Sequence, residues 1–193
     1  MPRLQPVDPS TATGKDKELL DAVKGKLGIV PNRTRVMAAS PAVLEAYLGS
    51  SLGSSLGSSL GSSGALAGGL LDAKTREELA LLTAHHNRCN YCLSAHSAVG
   101  KMVGLKHDEI VASRKGQGAS PKATAALALA KRVLDTKGGV SEADVAAARS
   151  AGLSEGEIAE IIAHVALNVF ANYFNVATDV DIDFPKVFHT EVA

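Results

Sequence analysis

The chain has 193 residues, 46% of them hydrophobic, enough to bury the core of one compact domain over residues 1–193. Its 20 lysines and arginines balance its 20 aspartates and glutamates, so no net positive field draws it to nucleic acid or to an anionic membrane. The N-terminal stretch MPRLQPVDPSTATGKDKELL has no signal-like apolar core, and no uninterrupted apolar run has the length to span a bilayer. These features predict a soluble, cytoplasmic protein in a compartment where thiols are kept reduced.

In chain order the segments read as helices. Residues 16–27 carry Leu19, Leu20, Val23 and Leu27 at helical spacing, and Gly28 with Pro31 closes them. Ser40 before Pro41, and again Ser120 before Pro121, pairs an N-cap with proline at the first helical position. TREELALLTAHHNRCNYCLSAHSAVGKMVG reads as two helices meeting at a tight turn near Asn87. Ser141 with Asp144 and Ser154 with Glu157 are capping boxes; the first opens a short helix closed near Gly152, the second a long one through IAEIIAHVALNVFANYF. VGLKHDEI at 103–110 resembles AGLSEGEI at 151–158, each a glycine stop, a leucine and a fresh polar start. With aromatics at only 4% and no tryptophan, strand signals are nearly absent, and the fold class is all-α.

From Tyr47 to Leu66 the chain repeats LGSS four times, an insertion at about 48–63. A helix there would carry its glycines at about 1 kcal/mol each relative to alanine, and glycine with serine is the composition of a flexible linker. The expectation is a looped-out or loosely packed segment. Removing three copies leaves PAVLEAYLGSSGALAGGLL, which reads as one helix.

The chemistry-bearing stretch is NRCNYCLSAH at 87–96, with the chain's 2 cysteines. On a helix, Cys89, Cys92 and His96 are three and four residues apart and share one face. A cysteine at the first helical turn sees the positive end of the dipole and free N–H groups, which favour its thiolate. An imidazole one turn on can accept the thiol proton or deliver one to a leaving oxygen. Three readings follow: a redox pair; a zinc site adding His96 and His85 or His86, though these ligands crowd into twelve residues; and inert buried cysteines.

The run from Glu77 to His96, a glutamate followed by NxCxxC and a histidine, resembles the alkylhydroperoxidase D-like branch of the carboxymuconolactone decarboxylase family. VPNRTRV, SPAVLEAYL, YCLSAH and the closing ALNVFANYFN and DIDFP are similar to its peroxidase-related subgroup. The resemblance implies an AhpD-like helical bundle with the CxxC motif at a helix N-terminus. It implies a homo-oligomer (trimer or hexamer, a dimer being the smaller alternative) in which Cys89 and Cys92 reduce peroxides through an internal disulfide. His96 would relay protons and Glu77 would orient or charge it. The partners implied are a small-molecule peroxide and a dithiol or thioredoxin-like reductant, with no cofactor and no metal. The chain departs from the family at Tyr91, where well-studied peroxidases place a second histidine; a phenol is a weak proton acceptor at neutral pH. The decarboxylation that names the wider family does not depend on this cysteine pair.

Candidate supporting residues are Tyr91, Asn87, His85 and His86; the two histidines read primarily as helix C-terminal groups that favour the dipole. Of the adjacent acids Glu77 and Glu78, one is expected to be a solvated surface charge, and the spacing favours Glu77 for the site. His164, Asn168, Asn172 and Asn175 form a polar stripe on an apolar helix, read as a subunit or helix interface ahead of an active-site wall. Cys92, one turn from His96, is favoured as the peroxide-reacting sulfur with Cys89 resolving; the opposite assignment has its own case, since Cys89 is nearer the helix N-terminus and many CxxC proteins use their first cysteine for exchange. Outside peroxidase chemistry stand a thiol–disulfide exchange adaptor and a non-catalytic helical module with a zinc or structural cysteine pair.

Overall fold

The structure, a computed structural model, describes residues 2–51, 66 and 68–191. Among these the regular structure is helical, in nine α-helices: α1 Gly14–Leu27, α2 Asn32–Met37, α3 Pro41–Ser51, α4 Ala73–His86, α5 Asn90–Met102, α6 His107–Arg114, α7 Pro121–Thr136, α8 Glu142–Ser150 and α9 Glu155–Thr178. A 3-10 turn, His189–Glu191, follows.

Local chemistry sets most boundaries. Ser120, Ser141 and Ser154 each accept a backbone N–H through their side chains, and Asp144 and Glu157 complete the two capping boxes. Gly104 and Gly152, at φ 90° and 89°, end α5 and α8 in the left-handed region. Leu105 N–H then returns to Gly100 O at 2.8 Å and Leu153 N–H to Ala148 O at 3.2 Å, so the two similar octapeptides form the same glycine stop.

Helix α4 is the hub, packing against α5, α6, α7 and α9. Eight of its residues are buried, including Leu79, Leu81 and Leu82 on different sides, as packing against four helices requires. One apolar cluster joins Leu79 and Leu82 to Leu127, Ala130, Ile158 and Ile161 on α7 and α9. A second surrounds the cysteines with Leu81, Leu93, Leu105 and Ile110. A third, with Leu19, Leu20, Val23, Met37 and Leu44, holds α1–α3 against Ala171 of α9. Leu27, expected on the buried stripe of α1, is 46% exposed, because Gly28 turns the chain away before that position reaches α3.

The first LGSS copy continues α3, with Leu48 buried; the loop expected for the rest of the repeat lies outside the described residues. Just beyond it, the Glu160 carboxylate accepts the N–H groups of Leu70 and Leu71 at 2.8 and 3.0 Å. This draws the chain so close to α9 that a Cβ on Gly69 would lie 2.5 Å from Glu160 Oε1.

Helix α9 is long and apolar enough, by length and composition alone, to cross a membrane, although Glu160, His164 and three asparagines interrupt its apolar run. Its inward side nonetheless carries buried His164, Asn168, Asn172 and Asn175.

Candidate active site

The α4–α5 turn brings the chemistry together. Asn87 ends α4, and Arg88, at φ 55°, takes the left-handed position usually left to glycine. Cys89 N–H then reaches back to Ala84 O at 2.9 Å. This geometry makes Cys89 the N-cap of α5: its Sγ accepts the N–H of Cys92 at 3.2 Å. Cys89 and Cys92 are joined as a disulfide with their Cα atoms 5.3 Å apart, 1% and 0% exposed. The sulfurs thus occupy the helix N-terminus that the sequence assigned to them.

One turn beyond Cys92, His96 Nδ1 lies 2.8 Å from Glu77 Oε2 of the antiparallel α4, both side chains largely enclosed. The carboxylate orients the imidazole. Among the described residues no hydrogen bond joins His96 to either sulfur in this disulfide state. Glu78 corrects the expectation of a surface charge: it is fully buried and accepts from Ala119 N at 2.6 Å and Ser113 Oγ at 3.4 Å. Burial, opposed by those hydrogen bonds, pushes its carboxyl above the ordinary range. The hub position of α4 is the reason, since Glu77 meets His96 of α5 while Glu78 is enclosed beside the α6–α7 connection.

The supporting candidates separate. Asn87 Nδ2 donates to Asn172 Oδ1 at 3.0 Å, pinning α9 to the turn. His86 Nδ1 lies 3.7 Å from Asp135 Oδ1 on α7. His85 is held below the ordinary imidazole value by burial and by nearby Arg114 and His189. Both stand in the last turn of α4, as read from the sequence. Among the described residues no three His, Cys, Asp or Glu side chains converge as a metal set.

Tyr91 is buried edge-on to Phe184, ring centroids 5.7 Å apart, with the Arg33 guanidinium 5.7 Å from its ring. Burial pushes its phenol well above the ordinary value, so it builds wall and supplies no base.

The polar stripe proves to be an interface between α9 and the α4–α5 hairpin within one chain, and its C-terminal half also walls the site: Asn175 Nδ2 donates to Cys92 Sγ at 3.1 Å. The sequence displayed the stripe, yet its helical period alone could not say which helix received it.

Nothing in the sequence marked the C-terminal strap. After α9 the chain runs back over α5, where Val187 N–H donates to Ser94 Oγ and His189 N–H to Asn90 Oδ1, both at 2.9 Å. Buried Arg114 donates to Phe188 O at 2.7 Å. Between strap, α9 and turn lies an open cleft of about 460 Å³ touching Cys89, with Tyr91, Val180, Ile182 and Phe188 as apolar walls and Arg3, Arg88 and Lys186 among its charged lining. Cys92 does not line it.

Residues 61–132, which include both cysteines, His96 and Glu77, match the carboxymuconolactone decarboxylase family model. No curated protein sequence matches the chain. Among solved structures, the chain is similar to the alkylhydroperoxidase AhpD core of an uncharacterized peroxidase-related protein from Ralstonia eutropha JMP134, at 22% identity and TM-score 0.79, over 94% of this chain and 92% of that one. An uncharacterized peroxidase-related protein from Silicibacter sp. TM1040 aligns at 21% identity and TM-score 0.68, over 93% and 88%. A cysteine-to-alanine variant of the debrominase Bmp8, in complex with 2,3,4-tribromopyrrole, aligns at 20% and 0.70, over 93% and 91%. The thiol-bearing segment of this chain thus matches the carboxymuconolactone decarboxylase family model, and its helices are arranged in an AhpD-like all-α fold.

Proposed function

We propose that the protein is a thiol-dependent peroxidase that reduces hydrogen or organic peroxides through a Cys89–Cys92 disulfide cycle. The carrying observation is a disulfide seated at a helix N-terminus one turn from an imidazole already oriented by a carboxylate. In the reduced pair, a thiolate on Cys92 attacks a peroxide oxygen; the O–O bond breaks, the sulfur becomes a sulfenic acid, and the departing alkoxide or hydroxide takes a proton relayed by His96. Cys89 then condenses with the sulfenic acid, forming the S–S bond and releasing water. A dithiol or thioredoxin-like reductant restores both thiols by exchange, entering through the cleft beside Cys89.

The similarity to Bmp8 and the apolar-walled cleft beside Cys89 support a second reading, thiol-dependent removal of bromine from an organic substrate. A homo-oligomer is supported by the exposed apolar residues Ile162, Phe170, Tyr173 and Val176 of α9, and a cytoplasmic location by the thiol chemistry. Thiol counting before and after one equivalent of hydrogen peroxide, with metal analysis of the same sample, tests the first reading. Loss of two thiols, regained with a dithiol, supports it; an inert pair, bound zinc, or oxidation only by protein disulfides overturns it.

A further inference from the structure

Asn175 stands on α9, 3% exposed, with its amide N–H on the Cys92 sulfur at 3.1 Å. Its Oδ1 is buried without a hydrogen-bond partner among the described residues. One turn earlier, fully buried Asn172 holds Asn87 at 3.0 Å and so fixes α9 against the turn that leads into the CxxC helix. As a packing device this is a poor arrangement: a buried amide with one half unsatisfied costs free energy that an apolar side chain of the same shape would not. A disulfide sulfur is also a weak acceptor, so the N–H gains little from it in the oxidised state. The same N–H directed at a thiolate makes a charge-assisted bond, roughly twice as strong. The contact is therefore worth most when Cys92 is reduced and ionised.

We propose that Asn175 is a further functional residue of the thiol site, the donor that holds Cys92 as a thiolate and makes it the leaving sulfur when the disulfide is reduced. This rests on the thiol–disulfide cycle above. Cys89 lines the cleft and Cys92 does not, so a thiolate of an external dithiol attacks Cys89 Sγ. A mixed disulfide forms there, and the S–S electron pair departs on Cys92 Sγ, where Asn175 N–H receives it without need of a proton. The second thiolate of the dithiol then attacks its own sulfur in the mixed disulfide, closing a cyclic disulfide and releasing Cys89 as a thiolate that takes a proton from water. The thiolate left on Cys92 is the one that meets the next peroxide.

The test reads one sulfur directly and needs no peroxide turnover. In a Cys89→Ser background Cys92 is the single thiol, and its iodoacetamide alkylation is followed across pH. Asn175→Leu is expected to slow alkylation about tenfold at any pH below the thiol's midpoint, with no fall in melting temperature. Asn175→Asp, with a carboxylate facing the sulfur, is expected to slow it further. Asn168→Leu, which removes a donor to the His164 carbonyl on the same stripe and none to sulfur, should leave the rate unchanged. With both cysteines present, Asn175→Leu should shift the equilibrium with glutathione about tenfold toward the disulfide. Unchanged Cys92 alkylation in the folded Asn175→Leu and Asn175→Asp proteins, or an equal effect from Asn168→Leu, overturns the proposal. If the pair cycles with a dithiol while Asn175 has no effect, this assignment alone fails; a pair that never cycles removes the cycle itself.

Discussion

Exchanging the adjacent acids of α4 one at a time should give opposite phenotypes. Glu77 pairs with His96 at 2.8 Å with the two side chains 17% and 23% exposed, so its loss removes a partly solvated contact that is worth about 1 kcal/mol or less. Its effect on chemistry should be larger: an imidazole that is no longer oriented forfeits part of the roughly 10²–10⁴-fold available to general acid–base catalysis, and Glu77→Ala should slow peroxide-driven disulfide formation at least about tenfold. Glu78 is the reverse case. Truncating this fully buried residue deletes the acceptor for Ala119 N–H and Ser113 Oγ and empties space inside the packed hub. The lost hydrogen bond to a charged group, about 1.5–3 kcal/mol, and the lost methylenes, about 0.8 kcal/mol each, are offset by relief of the buried charge. A net loss of about 2 kcal/mol from Glu78→Ala would lower the melting temperature by about 4–8 °C, with the thiol chemistry intact. Glu78→Gln keeps an acceptor toward Ala119 and removes the ionisation. Because burial raises the folded-state pKa of Glu78 above its ordinary 4.5, the unfolded chain releases this proton first; Glu78 therefore costs stability as pH rises through that interval, and the cost remains at neutral pH. The wild-type minus Glu78→Gln difference in urea unfolding should grow in that direction and then level off. A Glu77→Ala protein that unfolds while Glu78→Ala stays stable and slow would refute the assignment of roles.

His164 is buried and held below its ordinary value of 6.5, chiefly by desolvation and then by Arg76. The unfolded chain takes up this proton first as pH falls, so stability should drop below about pH 6.5, and His164→Leu should flatten that limb of a pH series of melting curves. Replacing either cysteine by serine should abolish multiple turnover with peroxide, measured by consumption of a dithiol; full turnover by Cys89→Ser would show that no internal disulfide is needed. Arg88→Gly should keep the fold and gain up to about 1 kcal/mol in chemical denaturation, since Arg88 occupies a left-handed position at φ 55°; a marked loss would show that its side chain holds the turn. Deleting residues 52–63 should keep the buried Leu48 of α3 in place and preserve or raise the melting temperature, whereas a clear loss of stability would show that the deleted leucines pack.

The sequence by itself determined most of the helices and several of their limits, because the signals involved act over a few residues. Serine caps three positions before an acid, glycines at positive φ and a turn forced between His86 and Cys89 were legible as letters. It also placed both sulfurs and His96 on one helical face, since that follows from spacing three and four. Spacing also favoured Glu77 for the site, but only the tertiary structure decided that Glu78 is buried as well, for a step of one residue turns a helix by about 100° and the sequence does not say where the neighbouring helices lie. The polar stripe of α9 was visible as a period, but its receiver, the sulfur of Cys92, lies 83 residues from Asn175 along the chain. The strap over α5 carries no periodicity at all. Its hold on Ser94 and Asn90 comes from backbone N–H groups, which every residue but proline possesses and which no side-chain pattern announces.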